Sequence, residues 1–377
     1  MVGLTLLKYI ENLSDEAVVD RWVQNPYYQY FCGERFFQWK LPCDPSDFVY
    51  FRKRIGERGA QAILKASIEL HADKIAEDEV VADTTVQEKN ITFPTDAKLR
   101  VKVIERLWKM AGESGVSYSH SYTRTVPKLL GVLRTRSNRL AKDRRKAGKK
   151  LKTLAGRLLR EYKRKAGTGW QLVYAEELEL MKRVLEQKRH DKNKVYSLHE
   201  PGVNCIAKGK AAKPYEFGNK ASVITTRDSG VVVGAMSFEK NLYDGDTLPE
   251  VLWQVEHLTG KRPGACLVDR GYRGNTRVGA IRIELPAPAK KSDTAYFRKK
   301  HRKRMARRAA IEPVIGHLKM HYRAGRNYLK GALGDSMNIQ LACAAYNYKK
   351  RMRDLLFILK SWLARLGIPS PSSMVCR

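Results

Sequence analysis

Val80-Val81-Ala82-Asp83-Thr84-Thr85-Val86 sets one acid inside a β-branched run. Such a run reads as a strand, because branched side chains suit a pleated surface. An acid inside a buried strand is costly unless it serves a purpose. A second apolar strand, Ala265 to Val268, ends in Asp269, just before the turn Arg270-Gly271-Tyr272-Arg273-Gly274. A third acid, Glu312, stands in a helical segment among Ile311, Val314, Ile315 and Leu318.

Working outward, Glu16 to Gln24 and Gly59 to Lys74 carry helical apolar spacing. The aromatic stretch Pro26 to Trp39 between them reads as a small helical core rather than a base-stacking surface. From about Asp96 to Tyr196 the pattern is helical and very basic. Between Arg134 and Lys165 there are 15 Lys or Arg against two acids, Asp143 and Glu161. Leu151, Leu154, Leu158 and Leu159 keep one apolar stripe through it, so one face packs and the other presents cations. Phe217 to Thr226 and Val231 to Phe238 read as a hairpin about Arg227-Asp228-Ser229-Gly230. Thr247-Leu248-Pro249-Glu250 has the form of a capping box. Ile281 to Leu285 reads as another short strand, and Met337 to Leu366 as one or two amphipathic helices. Strand, helical insert, hairpin, helix, strand, strand, helix is the order of a mixed α/β sheet.

The chain has 377 residues, with 72 Lys or Arg against 39 Asp or Glu and a formal net charge of +33. A field of that sign favours polyanions, and nucleic acid is the commonest. No run of about 18 uncharged apolar residues suggests a membrane span. Met1 to Asn12 has neither a basic start nor a cleavage site, so no secretory signal is expected. The six cysteines, Cys32, Cys43, Cys205, Cys266, Cys343 and Cys376, form no Cys-x-x-Cys pair, and reduced thiols in the cytosol are expected.

Hard divalent cations take carboxylate oxygens, and two such ions serve phosphoryl transfer. Asp83, Asp269 and Glu312 could supply those oxygens from two strands and one helix. Taken singly, each acid is also explained as a turn residue or a helix cap. Glu284, on the strand after Asp269, competes for the third place. Arg144, Arg145, Lys149 and Lys150 in the basic helix are candidate phosphate contacts. Thr85, on the Asp83 face, supports the carboxylate or touches DNA, and Tyr272 and Arg273 are candidate contacts to phosphate or an unstacked base. His317 and His321 have the spacing of a zinc helix but no third ligand, so structural or DNA-facing roles are expected.

Several stretches together resemble the DDE transposases of bacterial insertion sequences, in the IS-five family with its IS-four-like relatives. Phe31-Cys32-Gly33-Glu34 through Phe51-Arg52-Lys53-Arg54-Ile55-Gly56 is similar to that family's N-terminal module. Val81 to Ile91 is similar to its first-aspartate strand, Tyr215 to Lys220 to the next strand, and Leu267 to Gly274 to its second-aspartate motif. Arg308, Glu312 and Lys319 match its Arg, Glu, Lys signature. Met305 stands where that signature has Tyr, and Asp246 where family members more often have His. Pro313 implies a kink or a helix start beside Glu312.

The resemblance implies an α/β, RNase H-like mixed-sheet catalytic core at 76–95 and 201–330. It adds a helical DNA-binding or dimerisation module at 1–75, a basic helical insertion at 96–200 and C-terminal helices at 331–377. It implies two Mg²⁺ ions, replaceable by Mn²⁺, on Asp83, Asp269 and Glu312, with Arg308 and Lys319 holding phosphates. The expected partners are double-stranded DNA, as terminal inverted repeats and target, and a second copy of the chain on that DNA. The expected location is the cytoplasm, at the nucleoid. A nuclease that cuts without joining, or a basic DNA-binding protein with a decayed core, are the alternatives.

Overall fold

A computed structural model describes residues 1–135, 137–188, 190–207, 213–286 and 294–366; Cys376 lies outside them. The chain opens with helices α1 (Val2–Ile10), α2 (Asp15–Gln24), α3 (Pro26–Phe31) and α4 (Asp47–Glu69). Strand β1 (Glu79–Lys89) follows, then helices α5 (Asp96–Ser114), α6 (Thr125–Arg134), α7 (Ala141–Lys165), α8 (Thr168–Val173) and α9 (Ala175–Glu186). Next come β2 (Asn204–Ala207), β3 (Tyr215–Thr226), β4 (Val232–Phe238), α10 (Leu248–Thr259), β5 (Ala265–Leu267), β6 (Arg277–Val278) and β7 (Ile281–Glu284). Helices α11 (Ala295–Ala306) and α12 (Ile311–His321), strand β8 (Arg326–Asn327) and helix α13 (Gly331–Arg365) complete it. Two compact units result: 1–89 with 218–377, and 90–217.

The first unit is mixed α/β. β1 pairs antiparallel with β3 and parallel with β5, β4 pairs antiparallel with β3, and β7 runs parallel to β5. Strand alternation divides β1 between two layers. Val80 and Ala82 join Cys266 and Val268 in a large core with α1, α4, α10 and α13. Val81 and Leu267, paired across the strands, face the other way against Ile311 of α12, with Met305 and Ile315 alongside. The N-terminal helices therefore share the core of the sheet, since Leu6, Tyr9, Ile63, Leu64 and Ile68 are among its buried residues.

A buried polar knot ties α13 to the strands. Asp335 meets Lys89 Nζ at 2.8 Å and accepts from Asn219 Nδ2 at 2.7 Å. Gly218 lets β1 and β3 close up beside it: a Cβ there would stand 1.9 Å from the Gln87 carbonyl oxygen.

Two expectations need correction. Thr247 does not cap α10; its backbone is already helical and its hydroxyl donates to the Asp244 carbonyl at 2.7 Å. The aromatic stretch joins a helical core only in part: Tyr28 and Phe31 pack on the cluster of Leu4, Leu7, Val18, Val19, Trp22 and Phe48, and the other rings stay out. Tyr27, Tyr30, Phe36 and Trp39 are each about four-fifths exposed, with Trp39 at 84 %. Buried Gln29 explains why the loop stays outside: it accepts from Gln38 N–H at 2.7 Å and pins the loop to α3 through backbone bonds rather than ring burial.

The second unit is helical. Leu151, Leu158 and Tyr162 of α7 pack with Leu107 and Met110 of α5 and Leu178 and Met181 of α9. Arg106 fixes α5 to α9 through two hydrogen bonds to Glu177, at 2.6 and 2.8 Å.

Candidate active site

Asp83 and Asp269 stand two residues beyond the paired Val81 and Leu267. Continuing the parallel register brings the two acids level, Asp83 inside β1 and Asp269 just past the end of β5. Both are half-buried, and both accept a short bond from a backbone N–H: Asp83 from Thr84 at 2.7 Å and Asp269 from Gly271 at 2.7 Å. Glu312 is carried by α12 over the same sheet face, because Ile311 beside it and Ile315 one turn later rest on Val81 and Leu267. Its side chain is 63 % exposed and is met by Arg308 at 3.9 Å. Among the described residues no three His, Cys, Asp or Glu side chains are grouped as a ready ligand set.

Helix α12 begins at Ile311, so Pro313 sits in its first turn, where a missing N–H costs little. Arg308 precedes it in a 3₁₀ turn, Arg307–Ala310, yet still reaches Glu312. Lys319 lies two turns after Glu312 and is half-buried. Glu284 is occupied elsewhere. Arg304 of α11 holds Glu284 and Glu79 together, donating at 3.0 Å to Glu284 Oε1 and at 2.6 Å to Glu79 Oε1. Met305, next to that Arg, packs on the Ile311 cluster.

The structure brings in one acid that the sequence motifs do not mark. Asp244 lies in the 3₁₀ turn before α10. Its Oδ1 accepts from Thr84 Oγ at 2.9 Å and from Lys220 Nζ at 2.7 Å. Thr84 thus holds Asp83 by its backbone and Asp244 by its hydroxyl. A Cβ on Gly271 would lie 2.8 Å from Asp269 Oδ1 and 3.3 Å from Asp244 Oδ2, so this glycine keeps the space between the two carboxylates clear. The Tyr272 hydroxyl is buried nearby with no hydrogen-bond partner. Burial, then the charges of Asp83, Asp244, Cys266 and Asp269, push its ionisation far above the ordinary phenol range. A cleared cradle between carboxylates and an orphaned buried hydroxyl are features that a hard divalent cation with its water shell would satisfy.

Tyr272 is fully buried and is therefore corrected from a DNA contact to a residue beneath the acids. Thr85, 5 % exposed, likewise offers DNA no surface. Both errors came from treating a polar turn and a polar strand position as open. Arg273 is exposed, with its carbonyl accepting from Tyr243 Oη at 2.9 Å.

In the helical unit, Arg145, Lys149 and Lys150 are exposed on α7. Arg144 turns back instead, donating to the Thr135 carbonyl at 3.2 Å and to that of Ser137. Lys152, Arg160 and Lys163 of α7 line a cavity of about 620 Å³ with Lys182 of α9. His317 and His321 lie with ring centroids 5.6 Å apart on α12. Cys32, Cys43, Cys205, Cys266 and Cys343 are free thiols. No helix among the described residues is long and apolar enough to cross a membrane.

Comparison with known proteins bears on this geometry. Residues 184–348 match the family described as transposase DDE domain, a stretch that includes Asp244, Asp269 and Glu312 and begins after Asp83. Residues 1–54 match a second family, described as transposase domain DUF772. An uncharacterized protein of Rhizobium meliloti, ORF8 in the nfe locus, is 46 % identical over 129 residues, covering 33 % of this chain and 62 % of that relative. The chain thus spans less than two thirds of that relative's length. No solved structure matches the chain.

Proposed function

We propose that this chain, which carries a DDE transposase domain and a DUF772 transposase domain, is a metal-dependent DNA transposase of insertion sequences. It binds the inverted repeats at transposon ends, cleaves the DNA to free a 3′-hydroxyl and joins that end to target DNA. Its motifs favour the IS-five family, and its sheet an RNase H-like core. The observation that carries the reading is the pair Asp83, inside β1, and Asp269, just past the end of the adjacent parallel strand β5, under the helix that bears Glu312.

Asp83, Asp269 and Glu312 would hold two Mg²⁺ ions, or Mn²⁺ in their place. Bound there, the ions would activate an attacking hydroxyl and stabilise the leaving phosphate oxygen. The chain's own groups do the rest. Backbone N–H groups of Thr84 and Gly271 each fix one oxygen of an aspartate and so set the orientation of both carboxylates. Arg308 screens Glu312 and, with Lys319, holds phosphates by charge-assisted hydrogen bonds. The exposed cations of α7 grip the DNA backbone, so affinity rests largely away from the acids. The protein acts in the cytoplasm, at the nucleoid.

Two transposon ends require two copies. The exposed rings of Tyr27, Tyr30, Phe36 and Trp39 suit that contact. Residues 1–54 contain seven Lys or Arg and seven Asp or Glu, so this segment is neutral in a chain of +33. Copies that repel elsewhere can meet there.

The test uses end DNA and target DNA with Mg²⁺. Asp83→Ala and Asp269→Ala should each abolish cleavage and joining while end-DNA binding stays within a few-fold of wild type. Cleavage at the wild-type rate in either variant removes the acid assignment. Cleavage without joining by the wild-type protein makes it a nuclease instead.

A further inference from the structure

We propose that Asp244 is a fourth carboxylate of this centre, poised by Lys220 and Thr84 to share the cation with Asp269. The proposal rests on the metal-dependent reading above and adds a residue to it.

The case begins with the two oxygens of Asp244. Oδ1 is committed to the Lys220 ammonium and the Thr84 hydroxyl. Those bonds orient the carboxylate and leave Oδ2 with no hydrogen bond among the described residues. Oδ2 lies 3.3 Å from the Cβ position of Gly271, and Asp269 Oδ1 lies 2.8 Å from the same point. The two oxygens are therefore no more than about 6 Å apart across an open cradle. A divalent ion bound to both would need them roughly 4 Å apart or less. The figure of about 6 Å is an upper bound, reached only if the shared point lies on the line between the two oxygens.

A surface aspartate would not be held this way. Lys220 is 12 % exposed and Asp244 29 %, so both are partly desolvated for the sake of this pair. A purely structural pair would gain nothing from Oδ2 facing Asp269, since two nearby carboxylates repel. A cation between them turns that repulsion into attraction. Lys220 holds Asp244 in place before the cation arrives. The orphaned Tyr272 hydroxyl, fully buried in the field of Asp83, Asp244 and Asp269, is a second group whose satisfaction awaits a water or an ion there.

The position also reaches Asp83. Thr84 donates by its N–H to Asp83 and by its hydroxyl to Asp244. One strand residue thus spaces the two acids, and Asp244 positions the first aspartate while facing the second.

The experiment titrates the full-length protein with Mn²⁺ alone, read by electron paramagnetic resonance, for the wild type, Asp244→Asn, Asp269→Asn and Asp83→Asn. Asn keeps the shape and the bonds from Lys220 and Thr84 but removes the free anionic oxygen. Asp244→Asn should weaken Mn²⁺ binding by about tenfold or more, with an unchanged far-ultraviolet spectrum, and Asp244→Glu should restore part of it. Mn²⁺ affinity within twofold of wild type for Asp244→Asn, with clear weakening for Asp83→Asn and Asp269→Asn, would overturn the role of Asp244 alone. Wild-type affinity in all three variants would overturn the carboxylate centre itself, and this proposal with it.

Discussion

Glu312 and Glu284 separate cleanly once their partners are known. Arg304 already neutralises Glu284, whereas Glu312 projects into solvent with one loose cation beside it. Glu312→Gln should eliminate both cleavage and joining with little change in unfolding midpoint. Glu284→Gln should leave both rates within a few-fold of wild type and weaken the hold on α11. Measured rates that invert this order would move the third ligand to β7. Gly271 offers a second residue-level test. Ala there puts a methyl 2.8 Å from Asp269 Oδ1, which forces that carboxylate aside. Gly271→Ala should therefore raise the Mg²⁺ concentration needed for half-maximal cleavage several-fold while end-DNA affinity holds. An unshifted Mg²⁺ dependence would show that the cradle is not used.

At the scale of elements, α7 and α11 carry opposite uses of arginine. On α7, Arg145, Lys149 and Lys150 point outward, and Arg144 is tied to loop carbonyls. Replacing the three outward cations with Gln should flatten the log–log salt dependence of DNA binding by about one unit for each phosphate no longer neutralised. Arg144→Gln should leave that slope alone and cost at most about 1 kcal/mol of stability. An unchanged slope in the triple variant would place this face in solvent. On α11, Arg304 anchors the helix that leads into α12 and Glu312. Burial alone would raise the Glu79 carboxyl, but Arg304 and Arg227 outweigh it and hold it below its ordinary 4.5. Its stabilising share is thus complete above that value and lost as pH falls through the lower folded value. Hydrogen exchange in α11, corrected for its intrinsic pH dependence, should speed up once pH falls below the ordinary carboxylate range. Protection that persists to about pH 3 would mean that the clamp does not secure the helix.

For the whole molecule, charge separates the surfaces. A neutral aromatic face belongs to residues 1–54, and the cations crowd the helical unit. Aromatic rings bury roughly 150–250 Å² each, so the four exposed ones approach what one side of a standard interface needs. Tyr27→Ser with Trp39→Ser should shift sedimentation of the DNA complex toward one protein copy per end, while affinity for a single end stays near wild type. Loss of single-end affinity instead would make these rings a DNA-stacking surface.

Much of this protein is local and was readable from the chain. The strand around Asp83, the strand that stops just before Asp269 and the helix that bears Glu312 needed only periodicity, because each is a regular element; grouping the three acids as one set drew on the family resemblance. The hairpin and the cationic face of α7 were legible for the same reason. Asp244 was not, since a 3₁₀ turn has no period and its meaning comes from Thr84 and Lys220, 160 and 24 residues away. Nor was the fate of Tyr272, Thr85 or the N-terminal rings. Whether an aromatic or a hydroxyl faces core, acid or water depends on what packs over it, and those neighbours arrive from distant elements. Side-chain type and spacing are written in the chain; burial and the company of charges are made only when the sheet, α12 and the turn before α10 close on one another.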